Sequence, residues 1–393
     1  MNRVFVQHPV PRLPAVGIIG GGQLALMLAR AASQLGLCAR VLDASPACPA
    51  RREAAEFLEG SYQSPETLER CSKNADVVTL ENEFVEAPLL AGLESLGREV
   101  WPSSRTMALL QDKLVQKQTL RAAGVPVTDF EPVSTPASRD IAAGMMGYPF
   151  VLKRRCLGYD GTGNYTVKDA SDWVGALEKL GGQEAGLYAE RWCAFDRELA
   201  VIVTRGKTGD LAVYPVVETR QNDHVCEQVI APADVPEAIA EQAARIAREA
   251  VVAVDGVGSF GVEFFLMPDG RLLVNEMAPR VHNSGHYTLE ACECSQFENH
   301  IRAIRGLPLG STRMRAPAAM VNLLAKTLAS GAPRGIAEAL GIQGAHVHLY
   351  GKLHAAPGRK MGHVTALGKS AEEALAIALS AAECIHFDQQ IPL

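Results

Sequence analysis

Two glutamates on either side of a short turn constrain this chain more strongly than any other feature of its sequence. Phe264–Met267 and Leu272–Met277 have the composition and length of strands, and the Asp269-Gly270 dipeptide between them is a strong signal for a two-residue hairpin turn. Because the turn sets the register of a hairpin, it predicts that Glu263 lies directly opposite Glu276. One face of this carboxylate hairpin is then apolar except for two carboxylates at its open end.

The register decides whether those carboxylates meet. The two-residue turn predicts two further pairs: Met267 with Leu272, and Phe265 with Val274. A three-residue turn is the alternative, and it pairs Glu263 with Asn275 and separates the two acids. Carboxylates about 5 Å apart at an effective dielectric of about 20 repel by roughly 3 kcal/mol. The first register therefore predicts a bound cation, and magnesium is the simplest one because it takes oxygen ligands and bridges to phosphate.

A dense polar loop follows the hairpin. Pro279 and Gly285 disfavour regular structure there, and the polar residues are the following: Arg280, His282, Asn283, Ser284 and His286. An arginine and two histidines beside carboxylates are typical of an anion-binding site. Zinc is a less favoured alternative, because the Asn-Ser-Gly segment between the histidines argues against a helix and the glutamate of an HExxH motif is absent.

The composition excludes several classes of protein. A length of 393 residues predicts two or three domains, and an apolar content of 48% supports large cores. The net charge of −6 provides no general basic surface, so we expect no nucleic-acid partner. No apolar run reaches membrane-spanning length and the N-terminal residues lack a signal-peptide core, so we expect no membrane partner. Nine cysteines without a CxxC pair predict reduced thiols and a cytoplasmic location.

A glycine-rich turn and several acidic residues form a second candidate site near the N-terminus. Three glycines, residues 20–22, follow a short apolar strand and precede a helix, and we call this segment the glycine turn. With Ala25 and Asp43 it fits the G-x-G-x-x-A pattern of a dinucleotide fold, but such a turn lets any phosphate approach a helix N-terminus. Glu81 and Glu83 follow a later strand at the edge of the sheet where ligands bind in open α/β folds.

Two further segments carry basic residues. Lys153 ends a short apolar strand and is followed by RRCLGYDGTGN, in which three glycines indicate a mobile flap flanked by cations and suited to polyphosphate. A plain glycine-rich hairpin turn is the equally favoured alternative for that segment alone. Near the C-terminus, Lys352, Arg359 and Lys360 surround a Pro-Gly loop and are candidates to hold a phosphate. His300, in a predicted helix, is expected at the surface.

These motifs together resemble the ATP-grasp superfamily. The matching parts are DKLVQKQTLRAAGVPV, the strand lysine, the glycine flap and the paired carboxylates. Within that superfamily, GGGQLALML, KRRCLGYDGTGN and NEMAPRVHNSGH followed by SQFENHIRAI resemble the 5-(carboxyamino)imidazole ribonucleotide synthases of purine biosynthesis. The resemblance extends from about residue 15 to PGRKMGHV near the C-terminus, and NEMAPRVHNSGH is its most specific part.

The resemblance implies an α/β protein with three domains. Residues 15–111 would form a doubly wound parallel sheet and 112–190 a small lid with the glycine flap. Residues 191–393 would form the C-terminal α+β domain with an antiparallel sheet, including a small β-rich end from about residue 313. It also implies a homodimer.

The implied reaction is the carboxylation of 5-aminoimidazole ribonucleotide by bicarbonate through carboxyphosphate, with ATP split to ADP and phosphate. The resemblance implies magnesium, as two ions, on Glu263 and Glu276. The implied catalytic residues are Arg280, His282 and Lys352. The implied ATP-binding residues are Lys113, Lys153, Gly158, Tyr159, Asp160, Gly161, Thr162, Gly163, Asn164, Glu190, Arg191, Trp192, Cys193, Glu198, Gln221, Asn275 and Glu276. Those implied for the ribonucleotide are Gly22, Gln23, Glu83, Arg155, Tyr159, Asp160, Asn283, Arg359 and Lys360.

Two positions depart from the superfamily pattern, and three other functions remain open. Ala278 stands where many ATP-grasp enzymes have a third metal ligand, so Asn275 is the candidate to assist; Gln221 stands where relatives often have histidine. A nicotinamide-dependent oxidoreductase using the glycine turn leaves the flap and the carboxylate pair unexplained. Another ATP-grasp ligase, such as a formate-using glycinamide ribonucleotide transformylase, is the nearest alternative. A nucleotide-sensing regulator without turnover is the third.

Overall fold

The structure is a computed structural model that describes residues 13–158, 163–182, 186–222 and 225–389, apart from the side chain of residue 136. The strands are β1 Ala15–Ile19, β2 Cys38–Asp43, β3 Glu56–Glu59, β4 Val77–Leu80, β5 Phe130–Val133, β6 Phe150–Arg154, β7 Asn164–Val167, β8 Leu187–Arg191, β9 Arg197–Arg205, β10 Leu211–Val213, β11 Val217–Asn222, β12 Val225–Ala231, β13 Gly258–Leu266, β14 Leu272–Ala278, β15 Ala318–Leu324, β16 Ala329–Ser330, β17 Ala345–Leu349, β18 His354–Ala355 and β19 Lys360–Leu367. The helices are α1 Gln23–Gln34, α2 Pro65–Ser72, α3 Ala87–Ser95, α4 Ser104–Leu110, α5 Lys113–Ala122, α6 Pro136–Met146, α7 Trp173–Lys179, α8 Glu237–Ala253, α9 Thr288–Ala291, α10 Gln296–Ile304, α11 Ile336–Leu340 and α12 Ala371–Cys384.

The first sheet is parallel and has the order β3-β2-β1-β4. Its first strand is buried along its whole length, as expected for a parallel strand covered on both faces. Helix α1 follows the glycine turn directly and buries most of its apolar side chains, so the turn is fixed between strand and helix. The carboxyl ends of β1, β2 and β4 therefore lie at one edge of the sheet, where Asp43, Glu81 and Glu83 follow.

The second sheet is antiparallel and has the order β5-β8-β6-β7. Strands β6 and β7 are joined by the glycine-rich segment, and Lys153 pairs with Asn164 at the point where that segment begins. The core under this sheet includes Phe150, Trp173 and Leu187. The glycine-rich segment thus connects two strands of this small sheet; that it acts as a lid stays a prediction.

The third sheet has nine strands, eight of them in the order β14-β13-β9-β11-β12-β15-β19-β17, with β10 paired to β9. Helix α8 covers one face, and Ala243, Ile246 and Ala250 pack in the same core as Phe260 and Phe264. The late strands β15, β17 and β19 join through the pairing of β12 with β15. The C-terminal strands therefore extend the sheet that contains the carboxylate hairpin.

The observed hairpin combines the two predicted registers. Next to the turn Phe265 pairs with Leu273, so the predicted pairing of Phe265 with Val274 is wrong. The turn is the longer one, with a positive φ of 84° at Gly270, as in three-residue hairpin loops. A bulge after Glu263 inserts one extra residue on β14, and Glu263 is again paired with Glu276. The predicted opposition of the two glutamates is confirmed, but a bulge produces it.

His300 is not at the surface, which corrects the prediction. Its side chain is fully buried on α10. Nε2 lies 2.7 Å from Oγ1 of Thr79, and Nδ1 accepts from the backbone N–H of Ser259 at 3.0 Å. The imidazole thus links the first sheet to the third, a long-range contact that helical periodicity does not reveal.

Candidate active site

The two hairpin glutamates face a lysine and a histidine. Nζ of Lys113 lies 2.6 Å from Oε2 of Glu276, and Nε2 of His282 lies 3.4 Å from Oε1 of Glu263. Burial and the neighbouring Glu276 raise the pKa of Glu263. Burial alone would raise the pKa of Glu276, but the ammonium of Lys113 outweighs it and lowers that pKa. Glu276 is therefore ion-paired with a lysine, whereas the contact found for Glu263 among the described residues is with an imidazole.

Helix α5 positions Lys113 through its cap. Oδ1 of Asp112 accepts from the backbone N–H groups of Leu114 and Val115 at 2.9 and 3.2 Å. Arg155, predicted to bind the ribonucleotide, donates to the same carboxylate from Nε and Nη2 at 2.9 and 2.5 Å. The backbone N–H of Lys113 donates to the carbonyl of Arg155 at 2.7 Å. Arg155 thus ties the start of the flap to the start of α5.

Glu190 is the centre of a buried ion cluster. Its Oε1 lies 2.6 Å from Nζ of Lys117 and its Oε2 lies 2.5 Å from Nζ of Lys153. The two ammonium groups outweigh burial and hold the pKa of Glu190 well below its usual range. Lys117 was missed from the sequence; it lies four residues after Lys113 and is buried on α5 with Leu114 and Leu120, a position where a lysine requires a partner.

The segment after Glu190 carries the residues predicted at the adenine. Arg191 pairs with Asp129 at 2.9 Å and donates to the carbonyls of residues 145 and 146, whereas Trp192 is 47% exposed. The Cys193 thiol is half-buried, and burial raises its pKa. Phe195 stacks on Phe265 with ring centroids 4.6 Å apart, an aromatic surface that the sequence analysis missed.

Glu198 and Gln221 lie together on neighbouring strands. Burial raises the pKa of Glu198 to about 7, and a hydrogen bond from the side chain of Gln221 opposes that rise. Oε2 of Glu198 and Oδ1 of Asn275 are buried without a hydrogen-bond partner in the described part of the chain. Unpartnered buried oxygens next to the hairpin are what a bound cation or nucleotide hydroxyl would satisfy.

Arg280 connects the polar loop to the first sheet. Its Nε and Nη2 donate to the two carboxylate oxygens of Glu83 at 2.5 and 3.0 Å, across 197 positions in the chain. Burial would raise the pKa of Glu83, but the guanidinium outweighs it and lowers that pKa. A catalytic candidate and a substrate-binding candidate thus form one bidentate pair, and Nη1 of Arg280 donates to the carbonyl of Val281 at 3.3 Å.

His282 packs on the backbone of β13. A Cβ placed at Gly261 would come within 2.6 Å of the His282 side chain, so a glycine is needed there. Burial lowers the pKa of His282 to about 3, and the positive charges of Arg280 and Lys360 contribute. The imidazole is therefore neutral near pH 7 and can accept or donate a hydrogen bond.

The remaining loop residues have internal partners. The side-chain amides of Asn283 and Asn322 bond to each other at 3.0 and 2.7 Å. His286 is fully buried, with Nδ1 3.4 Å from the side-chain nitrogen of Gln296. Within the described ranges no group of three or more His, Cys, Asp or Glu side chains could hold a metal ion.

The C-terminal lysines approach the same cleft. Nζ of Lys352 donates to the carbonyl of Lys360 at 2.6 Å, and both side chains are partly buried. Burial raises the pKa of both Glu81 and Glu263, and the charges of Lys352 and Lys360 oppose that rise at Glu81 and Glu263 respectively. Arg359 is exposed and donates to the carbonyl of His354 at 2.9 Å.

Two carboxylates of the protein itself accept hydrogen bonds from backbone amides at and just after the glycine turn. Oδ2 of Asp43 accepts from the backbone N–H of Gly21 at 2.8 Å, and Oε2 of Glu81 accepts from that of Ala25 at 2.9 Å. A Cβ at Gly22 would collide with the Glu81 carboxylate. Two backbone amides at this turn are thus already bonded to carboxylates of the protein, which disfavours binding of a dinucleotide pyrophosphate there. Gln23 is partly buried beside them.

The flap residues are described in part. Gly158, Gly163 and Asn164 border the segment, and Gly163 has a positive φ of 89°. The other residues predicted there lie outside the described residues: Tyr159, Asp160, Gly161 and Thr162.

Comparison with known proteins shows to which family this chain belongs. Three family models match successive parts of the chain: a ribonucleotide synthetase preATP-grasp domain over 13–111, an ATP-grasp domain over 118–297 and a phosphoribosylaminoimidazole carboxylase C-terminal domain over 318–377. The N5-carboxyaminoimidazole ribonucleotide synthase of Synechococcus elongatus is 42% identical over 93% of this chain and 91% of that protein. The chain belongs to the N5-carboxyaminoimidazole ribonucleotide synthase family.

Other relatives of this family give the same picture. The structure of N5-carboxyaminoimidazole synthase from Aspergillus clavatus in complex with ADP and 5-aminoimidazole ribonucleotide matches with a TM-score of 0.85 and 39% identity, over 94% of this chain and 98% of that one. The phosphoribosylaminoimidazole carboxylase of Ogataea methanolica is 40% identical over 90% of this chain, which spans 66% of that longer protein. Membership establishes an ATP-binding ligase of the ATP-grasp type with a three-part α/β fold. No helix in the described ranges is long and apolar enough to cross a membrane.

Proposed function

We propose that this chain carboxylates the exocyclic amine of 5-aminoimidazole ribonucleotide with bicarbonate, giving 5-(carboxyamino)imidazole ribonucleotide while ATP is split to ADP and phosphate. The observation that carries the proposal is the opposition of Glu263 and Glu276 on neighbouring strands beside Lys113 and Arg280. Family membership supplies the reaction class, and the pair supplies the place where nucleotide phosphates would be held.

The residues at the hairpin fit magnesium. The available donors are two carboxylates and the unpartnered amide oxygen of Asn275, and oxygen donors are what magnesium prefers. We propose Glu263 and Glu276 as the ligands of two ions, with Asn275 assisting in place of a ligand at Ala278. Bound there, magnesium would neutralise charge on the terminal phosphates.

The lysines would stabilise the phosphates from the protein side. Lys113 and Lys153 are held by Glu276 and Glu190, so their ammonium groups are fixed in position before a nucleotide arrives. Phosphoryl transfer depends mainly on such positioning and charge neutralisation. The flap from Gly158 to Asn164 would cover the phosphates, the segment from Glu190 to Cys193 would line the adenine site, and Glu198 with Gln221 would bind the ribose hydroxyls.

Bicarbonate would be bound by Arg280, His282 and Lys352. An oxygen of bicarbonate attacks the terminal phosphorus, ADP leaves, and carboxyphosphate forms. Carboxyphosphate then separates into carbon dioxide and phosphate, the amine attacks carbon dioxide, and the new carboxyamino group loses a proton. Arg280 would orient the carbonate oxygens, because a guanidinium offers paired donors. Neutral His282 would hydrogen-bond to the same anion, and exclusion of water would protect carboxyphosphate.

The ribonucleotide would lie between the glycine turn and the polar loop. Glu83, held by Arg280, is the candidate acceptor for the amine, and Gly22, Gln23, Asn283 and Arg155 line that side. Arg359 and Lys360 are the candidates for its phosphate. We also expect a homodimer in the cytoplasm; the nine free thiols agree with a reducing compartment.

The test is ADP release by the purified chain with 5-aminoimidazole ribonucleotide and bicarbonate supplied together and singly. The proposal expects rapid release with both substrates and magnesium, and loss of it with a chelator. Replacing 5-aminoimidazole ribonucleotide and bicarbonate by glycinamide ribonucleotide and formate separates the reaction from that of a formate-using ligase. Release that is faster with formate, or no release under any condition, would overturn the proposal.

A further inference from the structure

Two buried glutamines, Gln116 and Gln296, hold the segment that carries the catalytic side chains. They come from two sequence motifs, DKLVQKQTLRAAGVPV and SQFENHIRAI, and the proposed reaction gives neither glutamine a role of its own. Their side chains are 2% and 0% exposed. Each forms the same pattern of hydrogen bonds, in which one side-chain amide pairs with both backbone groups of one residue.

The first clamp is on the hairpin. Oε1 of Gln116 accepts from the backbone N–H of Met277 at 2.9 Å, and its Nε2 donates to the Met277 carbonyl at 3.0 Å. Met277 directly follows Glu276 and the bulge that turns it toward Glu263. On the side away from β13, the backbone pairing of β14 within the described residues is an isolated bridge between Val127 and Val274, and Nζ of Lys117 donates to the Val274 carbonyl at 3.0 Å. The amide of Gln116 therefore takes the place of a neighbouring strand beside Glu276.

The second clamp is on the polar loop. Oε1 of Gln296 accepts from the backbone N–H of His282 at 2.9 Å, and its Nε2 donates to the His282 carbonyl at 2.7 Å. Its own backbone N–H donates to Oγ1 of Thr288 at 3.0 Å, and Thr288 donates to the carbonyl of Gly285 at 2.6 Å. A Cβ at Gly285 would come within 2.6 Å of the amide carbon of Gln296. The loop is shaped around this glutamine.

We propose that Gln116 and Gln296 are positioning residues for the two halves of the reaction: Gln116 fixes the metal-binding glutamate and Gln296 fixes the bicarbonate-binding loop. The proposal rests on the proposed function, because it takes the roles of Glu276 and His282 from it. A loop fixed only by its own bends would place Arg280 and His282 less reproducibly, and misplacement by about 1 Å can cost roughly a hundredfold in rate.

The two clamps predict that the two glutamine variants change different properties of the enzyme. Gln296→Met removes the amide at similar length, so the KM for bicarbonate is expected to rise by about ten- to a hundredfold while ATP binding stays unchanged. Gln116→Met is expected to raise the magnesium concentration needed for ATP binding, measured by calorimetry, with a smaller effect on the KM for bicarbonate. Gly285→Ala, which moves the Gln296 amide without removing it, is expected to reproduce the Gln296→Met effect in weaker form.

The chain supplies two matched controls. Asn299, on the same helix as Gln296, clamps the backbone of Gly310 in the same way, at 2.7 and 3.1 Å, away from the site. Asn299→Leu is therefore expected to lower the melting temperature without either kinetic effect. Gln118, exposed two positions from Gln116, is expected to tolerate methionine without change.

Several outcomes would overturn the proposal. One is that the KM for bicarbonate and the magnesium concentration needed for ATP binding change equally in both glutamine variants. Another is that both variants keep the wild-type values. A third is that Asn299→Leu shows the kinetic effects expected of the glutamine variants. If Gln296→Met does not fold, Gly285→Ala decides the loop clamp. If the wild-type chain shows no bicarbonate-dependent ADP release, the proposed function fails; the magnesium dependence of ATP binding in Gln116→Met still tests the hairpin clamp.

Discussion

The glycine turn and the carboxylate hairpin both place two acids at the ends of strands, but the protein treats them differently. At the glycine turn, Asp43 and Glu81 each accept a backbone N–H of the turn or of the first turn of α1. At the hairpin, Glu263 faces a second carboxylate, and its ion-pair contact within the described ranges is with the neutral His282 at 3.4 Å. Acids that the backbone satisfies serve the fold, whereas acids left facing each other indicate a ligand.

The largest effect should come from the hairpin. Glu276→Gln removes a proposed metal ligand and the charge beside Lys113 without changing side-chain volume. We expect ADP release to fall by at least about 10²–10³-fold, the range for loss of one group that stabilises developing charge, while the far-ultraviolet circular dichroism stays unchanged. Glu293→Gln, which removes an exposed ion pair with Arg313, is the control. Unchanged turnover in Glu276→Gln would show that this hairpin acid does not bind a ligand that the reaction needs, so the two regions would no longer differ in this respect.

A somewhat smaller effect is expected where the polar loop meets the first sheet. Arg280→Lys keeps the charge but loses the two-pronged contact with Glu83, so carboxylation should fall by about a hundredfold. The Kd for ATP should change little, because the nucleotide lies on the side of Lys113. Carboxylation and ATP affinity are measured on the same preparation, with Arg313→Lys as the control. Equal losses in both would show that Arg280 does not act on bicarbonate.

The pH dependence of stability tests the glycine-turn half of this comparison. Burial raises the pKa of Glu81 to about 7, so the folded chain keeps a proton that the unfolded chain has lost. The contribution of Glu81 to stability should therefore fall as the pH rises from about 4.5 to about 7, by up to about 3 kcal/mol, and stay level above that. Glu81→Gln keeps the acceptor for the Ala25 N–H and should remove the part of the fall that comes from Glu81, while the part from Glu198 and Glu263, whose pKa values burial also raises, remains.

The measurement is the free energy of unfolding by urea at pH 5 and pH 8 in both proteins. An identical pH dependence in the wild type and in Glu81→Gln would show that another group is responsible. It would also show that burial at the glycine turn does not raise the pKa of Glu81.

The smallest effect is expected at Asp43. Asp43→Asn retains an oxygen that accepts from the Gly21 N–H, so stability should change by less than about 1 kcal/mol. Neither the wild type nor the variant should bind NADH, measured by fluorescence titration, because the acids of the turn occupy the amides that a pyrophosphate would need. Tight NADH binding that depends on Asp43 would make the glycine turn a ligand site like the hairpin.

Local patterns predicted the elements of both regions. The glycine turn lies between β1 and α1 as expected, and the hairpin strands were recognised from their apolar runs and the Asp-Gly turn. Long-range contacts were not predictable in the same way. The two-residue turn gave the wrong pairing of Phe265, since the choice between two turn lengths costs little locally. Lys117 and His300 have partners that lie far away in the chain, so neither was assigned its buried role.

The sequence by itself determined which residues carry charge, where strands and helices form, and, through the resemblance of NEMAPRVHNSGH, which family the chain belongs to. Only the tertiary structure decided which charges are compensated. A bulge opposite Glu263 brings Glu276 into place, Glu83 reaches Arg280 from another sheet, and two glutamines fix the segment between them. The physical reason is that compensation depends on distances between atoms from remote parts of the chain, and those distances exist only once the sheets have packed.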